Sequence, residues 1–136
     1  MEKFVVKTAA LSKRYSVQIV VKDVSMSIPK GKIYGLLGRN GAGKTTIMKI
    51  LLGLASASSG EVRLFNQSPK KHPEVYSRIG NMIETPSFYP YLSGPENLNV
   101  FSKLKGQIQK SSVEKALKLV DLSRAGHKRF ANYSLG

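Results

Sequence analysis

The spacing of apolar residues changes along the chain, and with it the elements it predicts. Phe4–Val6 and Ile19–Val21 are short β-branched and aromatic runs, which favour strands. Val24, Met26 and Ile28 alternate with Ser25 and Ser27, the period of a strand with one buried face. Pro29-Lys30-Gly31 reads as a turn. Ile33-Tyr34-Gly35-Leu36-Leu37 is a continuous apolar run, which suits a parallel strand covered on both faces. Ile47, Ile50, Leu51 and Leu54 then recur at helical spacing. Ser58-Ser59-Gly60 predicts a second turn and Glu61–Phe65 a strand. Pro73–Arg78 predicts a short helix closed by Gly80, and Asn81–Ile83 a strand leading to Glu84.

Beyond Glu84 the pattern becomes helical. Thr85–Leu92 carries two prolines and three aromatics and reads as a loop. Ser93-Gly94-Pro95-Glu96 is a capping box, in which serine oxygen and glutamate carboxylate satisfy each other's backbone amides. Leu98, Phe101 and Leu104 follow near one face, and Gly106 is a natural stop. Ser111–Glu114 repeats the box ahead of an apolar stripe of Val113, Ala116, Leu117 and Val120. Gly126–Gly136 shows no clear period. The length suits one compact domain, not two.

The order strand, glycine-rich loop, helix surrounds the one motif that carries chemistry. Residues 38–45 read Gly-Arg-Asn-Gly-Ala-Gly-Lys-Thr, which fits Gly-x4-Gly-Lys-Ser/Thr at every fixed position. To wrap a β-phosphate, several backbone amides must point inward together, through angles that Gly38, Gly41 and Gly43 adopt cheaply. The helix that follows offers free amides and its positive dipole end. Lys44 supplies a mobile cation for the β and γ oxygens. The Thr45 hydroxyl is placed to ligate Mg²⁺, and Thr46 reaches the α-phosphate side. Arg39, Asn40 and Ala42 complete the loop.

Charge and composition narrow the alternatives. Lysine and arginine number 22 against 8 acids, a net charge of +14. The cations form no long run and no stripe interleaved with aromatics, so they read as solvated faces and no nucleic-acid partner is expected. With no cysteine, disulfides and thiolate zinc sites are excluded. His72 and His127 stand alone, without ligand spacing, and read as surface residues. The start of the chain does not resemble a secretory signal. No segment approaches the ~20 apolar residues of a membrane span, so any membrane role would be peripheral.

Arg39-Asn40-Gly41-Ala42-Gly43-Lys44-Thr45-Thr46 resembles the P-loop of ATP-binding cassette (ABC) transporter ATPase subunits. The resemblance runs along almost the whole chain. Lys13-Arg14-Tyr15, Ser59-Gly60-Glu61-Val62, Tyr89–Leu98 and Tyr133-Ser134-Leu135-Gly136 all look like segments of that family. The strands ahead of the loop are unlike a small GTPase. The residues around Glu84, Pro86, Phe88 and Tyr89 are similar to the branch that exports or resists peptide antibiotics such as bacitracin and lantibiotics.

The resemblance implies an α/β P-loop NTPase of ABC ATPase type, with N-terminal antiparallel strands, a parallel core sheet and the start of a helical subdomain. Residues 1–84 would be the nucleotide-binding core, and 85–136 the Q-loop region and helical subdomain, cut within the signature motif. ATP and Mg²⁺ would be the cofactors. Tyr15 would stack on adenine, and Thr45 and Glu84 would hold Mg²⁺. Glu84 departs from the glutamine that most members carry there. Ser134 and Gly136 would belong to the signature loop, facing the nucleotide of a second ATPase subunit in a head-to-tail dimer. The other partner would be a transmembrane permease subunit, which places the protein at the cytoplasmic face of the cell membrane as a peripheral subunit.

Hydrolysis needs an acid that holds Mg²⁺ through its waters and a group that orients the attacking water. In the family an apolar strand ending in Asp-Glu supplies them, with a histidine further on. The only aspartates here are Asp23 and Asp121, and neither ends such a strand. No catalytic residue is therefore expected within 1–136. The chain is expected to be the N-terminal portion of an ATPase subunit, inactive and poorly folded alone. The alternatives are another P-loop NTPase, a GTPase or kinase, and a basic nucleic-acid-binding module. An Asn-Lys-x-Asp guanine motif is absent.

Overall fold

Two long strands open the chain in the computed structural model, which describes residues 3–83, 88–104, 106 and 110–134. Strand β1 (Phe4–Tyr15) and strand β2 (Gln18–Pro29) form an antiparallel hairpin that closes at the Tyr15–Gln18 pair. Strand β3 (Ser59–Leu64) joins the free edge of β1, giving the order β2-β1-β3.

The period of two is interrupted in the middle of each long strand. Thr8 and Leu11 are both buried, and Val21 and Val24 both pack inward, at a spacing of three. The extra residue is Ala10 in β1, at φ 46°, and Asp23 in β2, at φ 48°, where the register shifts. Such bulges leave ladder groups unpaired, and side-chain hydroxyls take them up. The Ala10 amide donates to Ser25 Oγ at 2.9 Å, and the Asp23 amide to Ser12 Oγ at 2.9 Å. Buried Thr8 donates to the Val24 carbonyl at 2.9 Å and accepts from the Met26 amide at 3.0 Å. Gly60, expected in a turn ahead of the strand, lies inside β3 at φ 87°. A Cβ there would stand 2.6 Å from the Ala9 carbonyl oxygen, so the Ala10 bulge requires glycine opposite it.

Helix α1 (Lys44–Leu51) lies on the hairpin. Its Ile47 and Ile50 meet Leu11, Val21 and Met26 in the core, flanked by Val20, Val24, Ile28 and Leu36. Leu54 falls past the end of the helix and is mostly exposed. Phe65 and Asn66, at φ 49° and 61°, turn the chain back after β3, with paired Leu64–Gln67 backbone bonds of 2.9 Å. Residues Pro73–Arg78 form the expected short helix as a 3-10 helix, ended at Ile79 rather than Gly80.

Two expected strands are not strands. Residues 33–37 are irregular, with Ile33 104% and Leu37 93% exposed. Residues 81–83 are likewise irregular, with Met82 exposed. A parallel strand exists only through neighbours delivered by crossover connections. Among the described residues none pairs with either run, and the sheet that does form is wholly antiparallel.

The chain divides into two compact units, 1–84 and 85–136. In the second, α2 (Gly94–Leu104) and α3 (Lys110–Leu119) are the α-helices among the described residues. The capping box at Ser93 forms: the Ser93 amide and hydroxyl both reach Glu96 Oε2 at 2.7 Å. Gly106 takes φ 69° after α2. The second box does not sit at a boundary, because α3 begins at Lys110 and puts Ser111 inside the first turn. The stripes are also narrower than expected. Val113 and Leu117 are buried, whereas Ala116, Val120 and Leu104 are exposed. Phe88 packs edge-on against Phe101 and Phe130, at 5.3 and 4.9 Å between ring centres.

Candidate functional site

The loop 38–43 is held by its own lysine. Lys44 Nζ donates to the carbonyls of Gly38 at 2.6 Å and Arg39 at 2.8 Å. The Ala42 amide donates to the Arg39 carbonyl at 3.1 Å. The ammonium therefore caps the mouth of the loop, within reach of anything the loop encloses. Gly41 and Gly43 take left-handed angles, φ 81° and 83°. Arg39 and Asn40 are exposed, and Lys44, Thr45 and Thr46 are half-buried.

The start of α1 is bare. Gly43 is its N-cap, no side chain caps it, and no acid stands in its first turn. The helix makes its first backbone bond from Ile47 to Gly43, at 2.9 Å. The preceding amides are thus without intrahelical acceptors, and with the helix dipole they favour an anion.

Gly43 also fixes where the loop sits. A Cβ on it would run into the Val20 carbonyl oxygen and lie 3.1 Å from Val21 Cγ2. The loop is therefore seated on β2, two residues from Gln18, which pairs with Tyr15 across the hairpin. Tyr15 is half exposed at the end of β1. Lys13 Nζ lies 4.7 Å from its ring centre and donates to the Ser56 carbonyl at 2.7 Å. The fold thus brings Tyr15 to the same end of the sheet as the loop.

The remaining candidates are elsewhere. Glu84 and Gly136 lie outside the described residues. Ser134 is exposed, just after the short 3-10 turn Phe130–Asn132. Asp23 accepts from Ser12 Oγ at 3.1 Å on the sheet, and Asp121 sits in the turn after α3. His72 pairs with Glu74 at 3.1 Å, and both are exposed. The Glu74 carboxyl is held below its usual range, first by a backbone hydrogen bond and then by His72.

One residue that sequence reasoning passed over is Asn97, which is 1% exposed. Its Oδ1 accepts from the Tyr89 amide at 2.8 Å, and its Nδ2 faces the carbonyls of Tyr89 and Ser93 at 3.1 Å and Leu92 at 3.4 Å. It pins the segment ahead of α2. An asparagine one turn before Phe101, among the apolar positions of a helix, was the available signal.

The profile of the ABC transporter family matches residues 21–136. The chain belongs to the ABC transporter family. It is 51% identical over 134 residues to the bacitracin transport ATP-binding protein BcrA of Enterococcus faecalis, covering 98% of this chain and 44% of that protein. It is 38% identical over 130 residues to the lantibiotic transport ATP-binding protein SrtF of Streptococcus pyogenes, covering 96% and 56%. Among solved structures, the ATP-binding subunit of an ABC transporter aligns with a TM-score of 0.78 at 27% identity, over 96% of this chain and 56% of that one. The cbiO1 protein of Clostridium perfringens shares the fold with a TM-score of 0.82 at 22% identity, over 98% and 57%. The ABC family assignment and the likeness to bacitracin and lantibiotic transport proteins agree with the resemblance drawn from the sequence. The chain spans about half the length of these ABC relatives.

Proposed function

We propose that this chain is the ATP-binding portion of an ABC transporter subunit, whose hydrolysis of ATP powers export of, or resistance to, a peptide antibiotic. The observation that carries the reading is the loop 38–46, seated on β2 with its lysine at the mouth and an uncapped helix start beneath. Bare amides and one mobile ammonium suit a polyphosphate better than a carbonyl or a neutral ligand.

On this reading Gly38–Thr46 hold the phosphates and Tyr15 stacks on the adenine. The Thr45 hydroxyl contributes one ligand to the Mg²⁺ that accompanies ATP, a cation bound mainly by phosphate and water oxygens with few protein donors. Glu84 contributes the second. Residues 1–84 are the nucleotide-binding core, and 85–136 belong to the helical subdomain. Ser134 and Gly136 face the nucleotide of a second ATPase subunit, and a membrane permease is the other partner, at the cytoplasmic face. Asp23 stands on the sheet and Asp121 in a turn, and neither is given a part in hydrolysis.

The test is nucleotide binding by the polypeptide expressed from the complete native gene. Lys44→Ala should weaken Mg-ATP binding by roughly tenfold or more, the scale of losing a charge-assisted contact. Unaltered ATP affinity would refute the phosphate-site reading. Preference for GTP over ATP would instead favour another P-loop NTPase. In the same protein, Glu84→Ala should reduce transport-linked turnover more than nucleotide binding.

A further inference from the structure

A cavity of about 460 Å³ opens at the far end of α1 from the phosphate loop. That volume lies within the ~300–1,000 Å³ of small-molecule sites. Its floor is apolar: Ile50 from the last turn of α1, Ala57 from the following loop, and Val62 from β3. Its rim is cationic, with Arg63, Lys70 and Lys71. The one lining acid, Glu61, sits 3.8 Å from Arg63 with both side chains exposed, a weak pair. Lys70 and Lys71 have no ion-pair partner among the described residues.

The phenol of Tyr76 forms one wall, laid on Gly53 so closely that a Cβ there would stand 2.6 Å from its oxygen. Gly53, at φ 72°, ends α1 and admits the ring. Burial pushes the Tyr76 hydroxyl above its usual range, so it stays a neutral donor at physiological pH. Apolar floor, neutral donor and cationic lip together select a particular chemistry. A bare inorganic anion would leave the floor unused. A neutral apolar ligand would leave Lys70 and Lys71 without a counter-ion.

We propose that this cavity binds an anionic amphiphile, with a phosphate headgroup on Lys70, Lys71 and Arg63 and an alkyl chain on Ile50, Ala57 and Val62. The site is separate from the phosphate loop and does not depend on the function proposed above. Two sources share this chemistry: a phospholipid of the bilayer and a free alkyl phosphate.

Calorimetry on the polypeptide from the complete native gene, with saturating Mg-ATP to fill the phosphate loop, tests the proposal. The probe is octyl phosphate below its micellar concentration, compared with inorganic phosphate. Octyl phosphate should bind about tenfold or more tightly than inorganic phosphate, since each buried methylene adds ~0.8 kcal/mol. The double substitution Lys70→Glu/Lys71→Glu, at exposed positions, should weaken it by roughly tenfold without shifting the melting temperature. Raising Mg-ATP beyond saturation should leave octyl phosphate binding unchanged, which separates this site from the nucleotide reading; competition between the two would overturn the proposal. Sedimentation with phosphatidylglycerol vesicles, lost in the double variant and absent with phosphatidylcholine, assigns the bilayer as source. Binding of octyl phosphate without vesicle binding assigns a free amphiphile. Equal affinity for the two phosphates, no binding of octyl phosphate, or indifference to the double substitution would overturn the proposal.

Discussion

At Gly43 the loop, the helix and the sheet meet in one backbone position, so a single methyl group tests the whole arrangement. Gly43→Ala incurs two costs. The first is conformational: φ is 83°, and the left-handed region costs a residue with a Cβ about 1–2 kcal/mol. The second is steric. The new Cβ would run into the Val20 carbonyl oxygen and lie 3.1 Å from Val21 Cγ2. Neither neighbour is the free end of a flexible side chain. One is main chain in β2, and the other belongs to a residue only 3% exposed. Relief therefore means moving α1 off the sheet, an overpacking cost of about 1–3 kcal/mol. Together the loss is about 2–5 kcal/mol, a large fraction of the ~5–15 kcal/mol that holds a domain.

Neighbouring glycines separate the two terms. Gly41 has nearly the same φ, 81°, but nothing within 4 Å of its missing Cβ. Gly41→Ala should show the conformational cost alone, about 1–2 kcal/mol. Gly38 has no positive φ, and its Cβ would meet only Ala42 Cβ at 3.1 Å and the Lys44 side chain, so it should lose least. Urea unfolding of the three variants in the intact subunit, read as midpoint shifts at constant slope, gives the order directly. ATP affinity measured on the same samples should fall furthest for Gly43→Ala, because the helix start moves with the loop. If Gly43→Ala proves no more destabilising than Gly41→Ala, the loop is not seated on β2 as described.

Two further outcomes follow from the second unit. Asn97→Leu strips the Tyr89 amide of its acceptor and two carbonyls of their 3.1 Å donors at a site 1% exposed. It should cost about 2–4 kcal/mol, with faster hydrogen exchange at the Tyr89 amide; a loss below about 1 kcal/mol would mean the segment holds itself. The Glu96 carboxyl is kept below its usual range, first by the Ser93 amide and then by the Ser93 hydroxyl. A depressed folded-state pKa means its contribution is present above the unfolded carboxylate pKa and is lost as pH falls through the folded value. Glu96→Gln should thus flatten the acid limb of the stability profile while changing its slope little at neutral pH; an identical acid limb would show that the box carries no charge-dependent stability.

What the sequence made legible was what is local. The capping box at Ser93 needs only residues three apart, and it forms. The phosphate loop needs glycines and a lysine at fixed spacing, and α1 follows it with Ile47 and Ile50 inward. The bulges were hidden because their cause is across the strand. Ala10 and Asp23 are not glycine, and their left-handed angles are held by hydroxyls on the partner strand, Ser25 for one and Ser12 for the other. No window along one strand contains both members of such a pair. Asn97 was hidden for a related reason. Its value lies in the three carbonyls and one amide it meets, while its helical position alone argues for an apolar residue.

The run 33–37 shows the other side of that limit. Five consecutive apolar residues state a requirement, cover on both faces, and do not say what supplies the cover. The structure leaves Ile33 and Leu37 almost wholly in solvent. Leu36, by contrast, reaches the core beside α1, so the segment is anchored at the end that leads into the phosphate loop. That anchoring matters more for the candidate site than the missing sheet does. The loop's position rests on Leu36 before it and on Gly43 against β2 after it, both within residues 1–84. The loop 38–43 is therefore placed by one hairpin and one helix, with no parallel neighbour among the described residues.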